Sequence, residues 1–208
     1  EGVRAAGGIW TRADRAAYRL VERAPLRGEY RGMRITTVPP PSAGGVALIQ
    51  MLKILEPYQL DKPAHGERER LLIETMRLAY RDRAEHMGDP DFVNVDVARL
   101  LSAEHIVRQR AQLGRRGLTP APRAESRAGG ANTTHLSVID RAGNRVAATL
   151  TLNTHFGSGF MPPGTGVLLN NEMDDFVIKP GAANAYGLVG SNANAIAPGK
   201  RPLSSMTP

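Results

Sequence analysis

The sequence predicts an α+β chain, and three observations carry that prediction. The longest helical pattern, residues 66–87, lies in the first half. Two strand-like runs, Thr133–Asp140 and Asn144–Leu152, follow in the second half around the turn Arg141-Ala142-Gly143. Between them, residues 114–132 (GRRGLTPAPRAESRAGGAN) hold four Gly and two Pro and no apolar period. With 41% hydrophobic and 23% charged residues, the chain can form a packed core.

Each element has a local reason. Thr11 and Asp14 have capping-box spacing and open a short helix reaching Tyr18. Leu26–Tyr30 and Met33–Val38 read as short strands around Arg31-Gly32. The run Pro39–Gly45 (PPPSAGG) suits neither a helix nor a central strand. In Val46–Leu55, Val46, Ile49, Leu52 and Ile54 recur at near-helical spacing. The long helix places Leu72, Met76, Ala79 and Arg83 on one face, and Gly88-Asp89-Pro90 ends it. Ser102 caps a helix running to about Leu113. Val167–Leu169 reads as a further short strand among loops rich in Gly and Asn.

Composition narrows the function classes. There are no cysteines, which excludes disulfides, thiolate catalysis and Cys-based zinc sites. Net charge is +7, but the arginines are scattered and aromatics make up only 5%, so the basic balance reads as a solvated surface and not as a nucleic-acid face. No apolar run approaches the ~20 residues that span a bilayer. Glu1–Trp10 lacks the apolar segment of a secretory signal. No histidine or regular ligand spacing argues for a metal, and no cofactor motif is present.

Chemistry concentrates at the strand hairpin. If Asp140 pairs with Asn144, Thr133 falls opposite Thr151, with Cβ atoms about 4.5–5.5 Å apart. Asn153 lies two residues further on and faces the same side. A cut between Asn132 and Thr133 would make the threonine an N-terminus, with hydroxyl nucleophile and α-amine base in one residue. The ordinary reading of the pair is that threonine suits strands. Glu172, Asp174 and Asp175, beside Asn170-Asn171, could serve acid–base work or hold an ammonium, or could simply form a polar loop. Ser204 and Ser205 could donate to an anion or form a turn. His86, His105 and His155 have no defensible spacing to a nucleophile, and no GxSxG elbow is present.

TTHLSVIDRAGNRVAATLTLNTHFGSG, LLNNEMDDF and NAYGLVGSNANAIAPGKRPLSSM, with PPPSAGG and GDPDFV upstream, resemble the γ-glutamyltranspeptidases in order and spacing along nearly the whole chain. The resemblance implies an N-terminal-nucleophile hydrolase with a four-layer αββα sandwich. Such enzymes are made as a precursor that cleaves itself into a large and a small subunit. Here 1–132 would end the large subunit, with 114–132 as processing linker, and 133–208 would begin the small one.

The implied roles follow residue by residue. Thr133 would be the nucleophile of self-cleavage and catalysis, and Thr151 would hydrogen-bond its hydroxyl. Asn153, Glu172 and Asp175 would hold the α-ammonium of a γ-glutamyl group, and Ser204 and Ser205 would donate to its α-carboxylate. Pro180–Ser191, with Tyr186, would be a lid that limits water. The expected reaction is γ-glutamyl transfer or hydrolysis, with glutathione as donor and water, an amino acid or a dipeptide as acceptor, by ping-pong kinetics. An acylase for β-lactam side chains on the same scaffold and a catalytically incomplete fragment are the alternatives. The family's oxyanion-hole glycines would follow Pro208, and its carboxylate-gripping arginine would precede Glu1. Family members are commonly periplasmic, secreted or surface-bound.

Overall fold

The computed structural model describes residues 1–62, 66–113, 133–179 and 181–208. Residues 114–132, expected as the processing linker and including Asn132, and Pro180, expected at the start of the lid, lie outside the described residues. The architecture is α+β. Its elements are α1 (Gly2–Ala5), α2 (Arg12–Ala17), β1 (Leu26–Tyr30), β2 (Met33–Thr37), α3 (Gly44–Leu55), α4 (Glu67–His86), α5 (Val97–Leu100), α6 (Ala103–Arg110), β3 (Thr133–Ile139) and β4 (Arg145–Thr151). Among the described residues the strands form two separate two-stranded antiparallel sheets, β1–β2 and β3–β4. No helix there is long and apolar enough to cross a membrane.

The capping box at α2 is formed: Thr11 Oγ1 accepts from Asp14 N at 3.1 Å, and Asp14 Oδ2 accepts from Thr11 N at 2.8 Å. Ser102 Oγ likewise accepts from His105 N at 3.2 Å to start α6, which ends at Arg110 and gives way to turns before Leu113.

Three expectations need correction. Helix α3 begins at Gly44 and not after Gly45. These glycines permit close backbone approach, since a Cβ on Gly44 would lie 2.3 Å from Met206 O and one on Gly45 2.1 Å from Val38 O. Val167–Leu169 is not a strand: Leu169 instead bridges loop segments, accepting from Ser158 N at 2.9 Å and donating to Phe160 O at 3.0 Å.

On α4 the packed face is turned by one residue. Leu71, Thr75, Leu78, Ala79, Asp82 and Arg83 are buried, whereas Leu72 and Met76 are 39% and 50% exposed. A face read from apolar residues skips polar positions that are buried because partners meet them. Asp82 is such a position. Its Oδ2 accepts from Gln50 Nε2 of α3 at 2.7 Å and Gln109 Nε2 of α6 at 2.9 Å, and lies 2.6 Å from His105 Nε2. One carboxylate oxygen thus ties three helices together.

The segments before and after residue 132 share one interior. Leu203 packs in a buried cluster with Ala43, Val46, Met87 and Leu100. Ser204 pairs with Ser42 in a parallel bridge, with Ala43 N donating to Ser204 O at 2.8 Å and Ser204 N to Pro41 O at 3.1 Å. Ser191 N donates to Ala84 O at 2.9 Å, and Arg201 N to Asp89 Oδ2 at 2.8 Å. The β3–β4 ribbon is the opposite case, since every residue of β3 is exposed.

Candidate active site

The ribbon sets the first part of the site. Asp140 N donates to Asn144 O at 3.0 Å, and Asn144 N donates back to Asp140 Oδ1 at 2.8 Å, so the turn is fixed at both edges. The register that follows places Thr133 opposite Thr151. Thr133 Oγ1 donates to Thr151 Oγ1 at 3.1 Å, and Asn153 N donates to the same oxygen at 2.9 Å. Thr151 thus receives two hydrogen bonds where β4 ends. Asn153 takes a positive φ of 74°, which turns the chain out of the strand.

That turn leads to the acidic segment. Asn153 is buried, and its Nδ2 donates to Asn171 O at 3.2 Å. Asn171 N donates to Leu152 O at 3.2 Å, and Asn171 Oδ1 accepts from Thr154 N at 3.1 Å. Glu172–Asp175 is a single 3-10 turn immediately after Asn171. The two threonines, Asn153 and the acidic turn therefore form one hydrogen-bonded run.

Glu172 and Asp175 are partly buried and close enough to affect each other. Burial, then the Asp175 charge and a carboxyl–carboxyl hydrogen bond, push Glu172 up to about 7. Burial also raises Asp175, opposed by the Glu172 hydrogen bond and the Arg83 charge. Both carboxyls therefore bind a proton more readily than free ones, and they titrate as a pair. Glu172 Oε1 is buried without a hydrogen-bond donor among the described residues. An unmet carboxyl oxygen in an acidic pair can accept a hydrogen bond from an ammonium group.

Tyr186 closes over this run. Its hydroxyl donates to Asn153 O, and burial, followed by the charges of Asp175, Glu172 and Asp174, raises its pKa. The segment 181–191 reaches the acidic turn at two further points: Asn184 Nδ2 donates to Asp175 Oδ1 at 3.3 Å and Ala185 N to Asp174 Oδ2 at 2.9 Å.

The paired serines differ from one another. Ser204 is fixed by its main chain, and its Oγ accepts from Met206 N at 3.1 Å. Ser205 is the more open, and its Oγ accepts from Arg83 Nε at 2.9 Å. A cleft of about 220 Å³ is lined by Arg83, Asp174, Asp175, Asn184 and Asn194 among others. Asn194 Nδ2 donates to Asp175 O at 2.6 Å, and Asn194 Oδ1 accepts from Leu203 N at 3.1 Å, so one buried amide links the acidic turn to the segment before the serines. Arg83, Asn184 and Asn194 escaped the sequence reading, and Asn171 was noted only as a neighbour of the acidic group. Arg83 was visible only as a member of a helix face, and Asn184 and Asn194 only as loop composition.

The γ-glutamyltranspeptidase family model matches residues 1–208. The glutathione hydrolase proenzyme of Escherichia coli (strain K12) is 45% identical over 210 residues, covering 97% of this chain and 36% of its own length. The crystal structure of cephalosporin acylase from Bacillus halodurans superposes with a TM-score of 0.77 at 29% identity, over 98% of this chain and 35% of that one. Helicobacter pylori γ-glutamyltranspeptidase superposes with a TM-score of 0.51 at 38% identity, over 55% of this chain and 33% of that one. The chain thus spans about a third of the length of these relatives. A match that runs from Glu1 to Pro208 fits the threonine register that strand spacing alone predicts, and the chain belongs to the γ-glutamyltranspeptidase family.

Proposed function

We propose that this chain is the junction region of a self-processing enzyme that transfers or hydrolyses γ-glutamyl groups, glutathione among them. The observation that carries the reading is the hydrogen-bonded run from Thr133 through Thr151 and Asn153 to the Glu172–Asp175 turn. It joins a nucleophile to a seat for a cation, which a γ-glutamyl substrate supplies as its α-ammonium. The family membership and the glutathione hydrolase relatives point the same way. In this reading 1–132 ends the large subunit and 133–208 begins the small one.

The chemistry begins with cleavage after Asn132. Before it, Thr133 N is an amide and cannot act as a base. Afterwards it is an α-amine with a reference pKa near ~7.7–8.0. That amine takes the Thr133 hydroxyl proton as the oxygen attacks the γ-glutamyl carbonyl, and the leaving amine departs protonated. Thr151 accepts from the hydroxyl and orients it. Asn153, Glu172 and Asp175 hold the α-ammonium, and Ser204 and Ser205 hold the α-carboxylate. Water, or an amino-acid or dipeptide amine, then takes the acyl group from Thr133. The Tyr186 segment covers the site and limits water, which favours transfer. The same reading places the enzyme in the periplasm or outside the cell.

The test uses a full-length precursor carrying this sequence. Incubation yields two fragments split between Asn132 and Thr133, and Thr133→Ala leaves one band. The processed enzyme releases the chromophore from a γ-glutamyl anilide and passes the acyl group to glycylglycine. A precursor that stays whole, or that turns over a glutaryl β-lactam in place of the anilide, overturns the proposal.

A further inference from the structure

Arg83 is a buried cation, 4% exposed, next to the Asp82 anchor on α4. A buried charge is costly unless it is paired or hydrogen-bonded. Among the described residues, the hydrogen bond from its Nε to Ser205 Oγ is the one that its guanidinium makes. None of the ion pairs among the described residues includes it. Burial lowers its pKa, and the charge that offsets this most directly beyond Tyr80 is Asp175. The guanidinium also lies 6.0 Å from the Tyr80 ring centre, and its Nη groups are not among the buried unpartnered atoms, so they stay accessible beside the cleft that Arg83 lines, where a ligand can meet the charge.

The hydrogen bond has a directional consequence. A guanidinium only donates, whereas a hydroxyl carries one proton and two lone pairs. Arg83 occupies a lone pair of Ser205, so the Ser205 proton is left for another acceptor. The positive charge behind the oxygen also strengthens that donation. Asp175, which lines the same cleft as Arg83, presents the opposite charge. The two match the two charges of an α-amino acid.

We infer that Arg83 is a positioning and specificity-determining residue, which acts through Ser205 to make the site select donors with a free α-carboxylate. The inference rests on the γ-glutamyl reading above. It is separate from the carboxylate-gripping arginine that the family resemblance places before Glu1, because Arg83 reaches the substrate through a serine.

The test compares, in the full-length processed enzyme, a γ-glutamyl anilide with the same compound carrying its α-carboxylate as a methyl ester. Arg83→Met is expected to raise KM for the free acid by about 10–100-fold, the range of a hydrogen bond to a charged group. Its kcat stays within about threefold, and KM for the ester moves by less than about threefold, on the same view that only the charged contact is lost. Discrimination between the two donors then collapses. Arg83→Lys recovers part of it, because lysine keeps the charge but not the fork geometry.

Self-cleavage before Thr133 reports folding independently of substrate. If Arg83→Met does not self-cleave, Arg83→Lys and Ser205→Ala decide: both must narrow the discrimination through KM. Equal losses on both donors, or a fall in kcat at unchanged KM, overturn the inference. A wild-type enzyme that turns over no γ-glutamyl donor overturns the function reading instead. An active wild type whose discrimination survives these substitutions overturns this inference alone.

Discussion

The polar cluster around Asp82 and the threonine pair on the ribbon are both hydrogen-bonded, but they are held in opposite ways. Asp82, Gln50, His105 and Gln109 are all buried, and three helices meet on one oxygen. Thr133 and Thr151 lie on a two-stranded ribbon whose first strand is exposed throughout, and their pairing follows from register alone. In the first region hydrogen bonds are needed to keep polar groups in the interior, so they control stability. In the second, water can replace a lost bond, so they control only the aim of a hydroxyl.

Substitutions in a full-length protein can break that contrast, and the largest expected effect is on the helical side. Asp82→Ala removes the acceptor shared by Gln50, His105 and Gln109, of which Gln50 Nε2 keeps Leu100 O, and an unmet buried donor costs about 1–3 kcal/mol where no water enters. Denaturant unfolding is expected to show a loss of about 3 kcal/mol or more, in the range for breaking a buried charged contact. A loss near that of a surface substitution would mean that the cluster is not an anchor.

Thr151→Ala is expected to do the reverse. Turnover falls by about tenfold, in keeping with one hydrogen bond at the proposed nucleophile, while stability changes by under about 1 kcal/mol. Thr151→Ser restores the oxygen and most of the rate. A stability loss as large as that of Asp82→Ala would erase the distinction between the two regions.

The smallest effect concerns proton binding at the acidic turn. The folded state holds the Glu172 proton more tightly than the unfolded chain does. The stability this adds is fully present below its ordinary value near 4.5 and is lost as pH rises through about 7. Thermal unfolding of Glu172→Gln relative to wild type should therefore gain ground between those two values. A difference that stays flat across that range would show that Glu172 titrates as an ordinary surface carboxyl.

The ribbon was the most legible part of the sequence. A three-residue turn and a period of two locate Thr133 against Thr151 without any knowledge of the rest of the fold. Local caps at Thr11 and Ser102 were legible for the same reason, since their partners lie three residues away. The packed face of α4 was not, because Asp82 and Arg83 are buried through residues 23 and 122 positions distant. Glu172 and Asp175 were visible as an acidic group, but their raised proton affinity depends on burial, which the local sequence does not encode. The link from Asn194 to both Asp175 and Leu203 was equally hidden in a loop that reads only as rich in asparagine.

Leu203 inside the N-terminal cluster, the Ser42–Ser204 bridge and the Ser191–Ala84 bond have one more consequence. They join the two segments by contacts that do not pass through residue 132. A break there would release a new chain end without releasing a piece. The halves should travel together through a sizing column and separate only when the interior itself is unfolded.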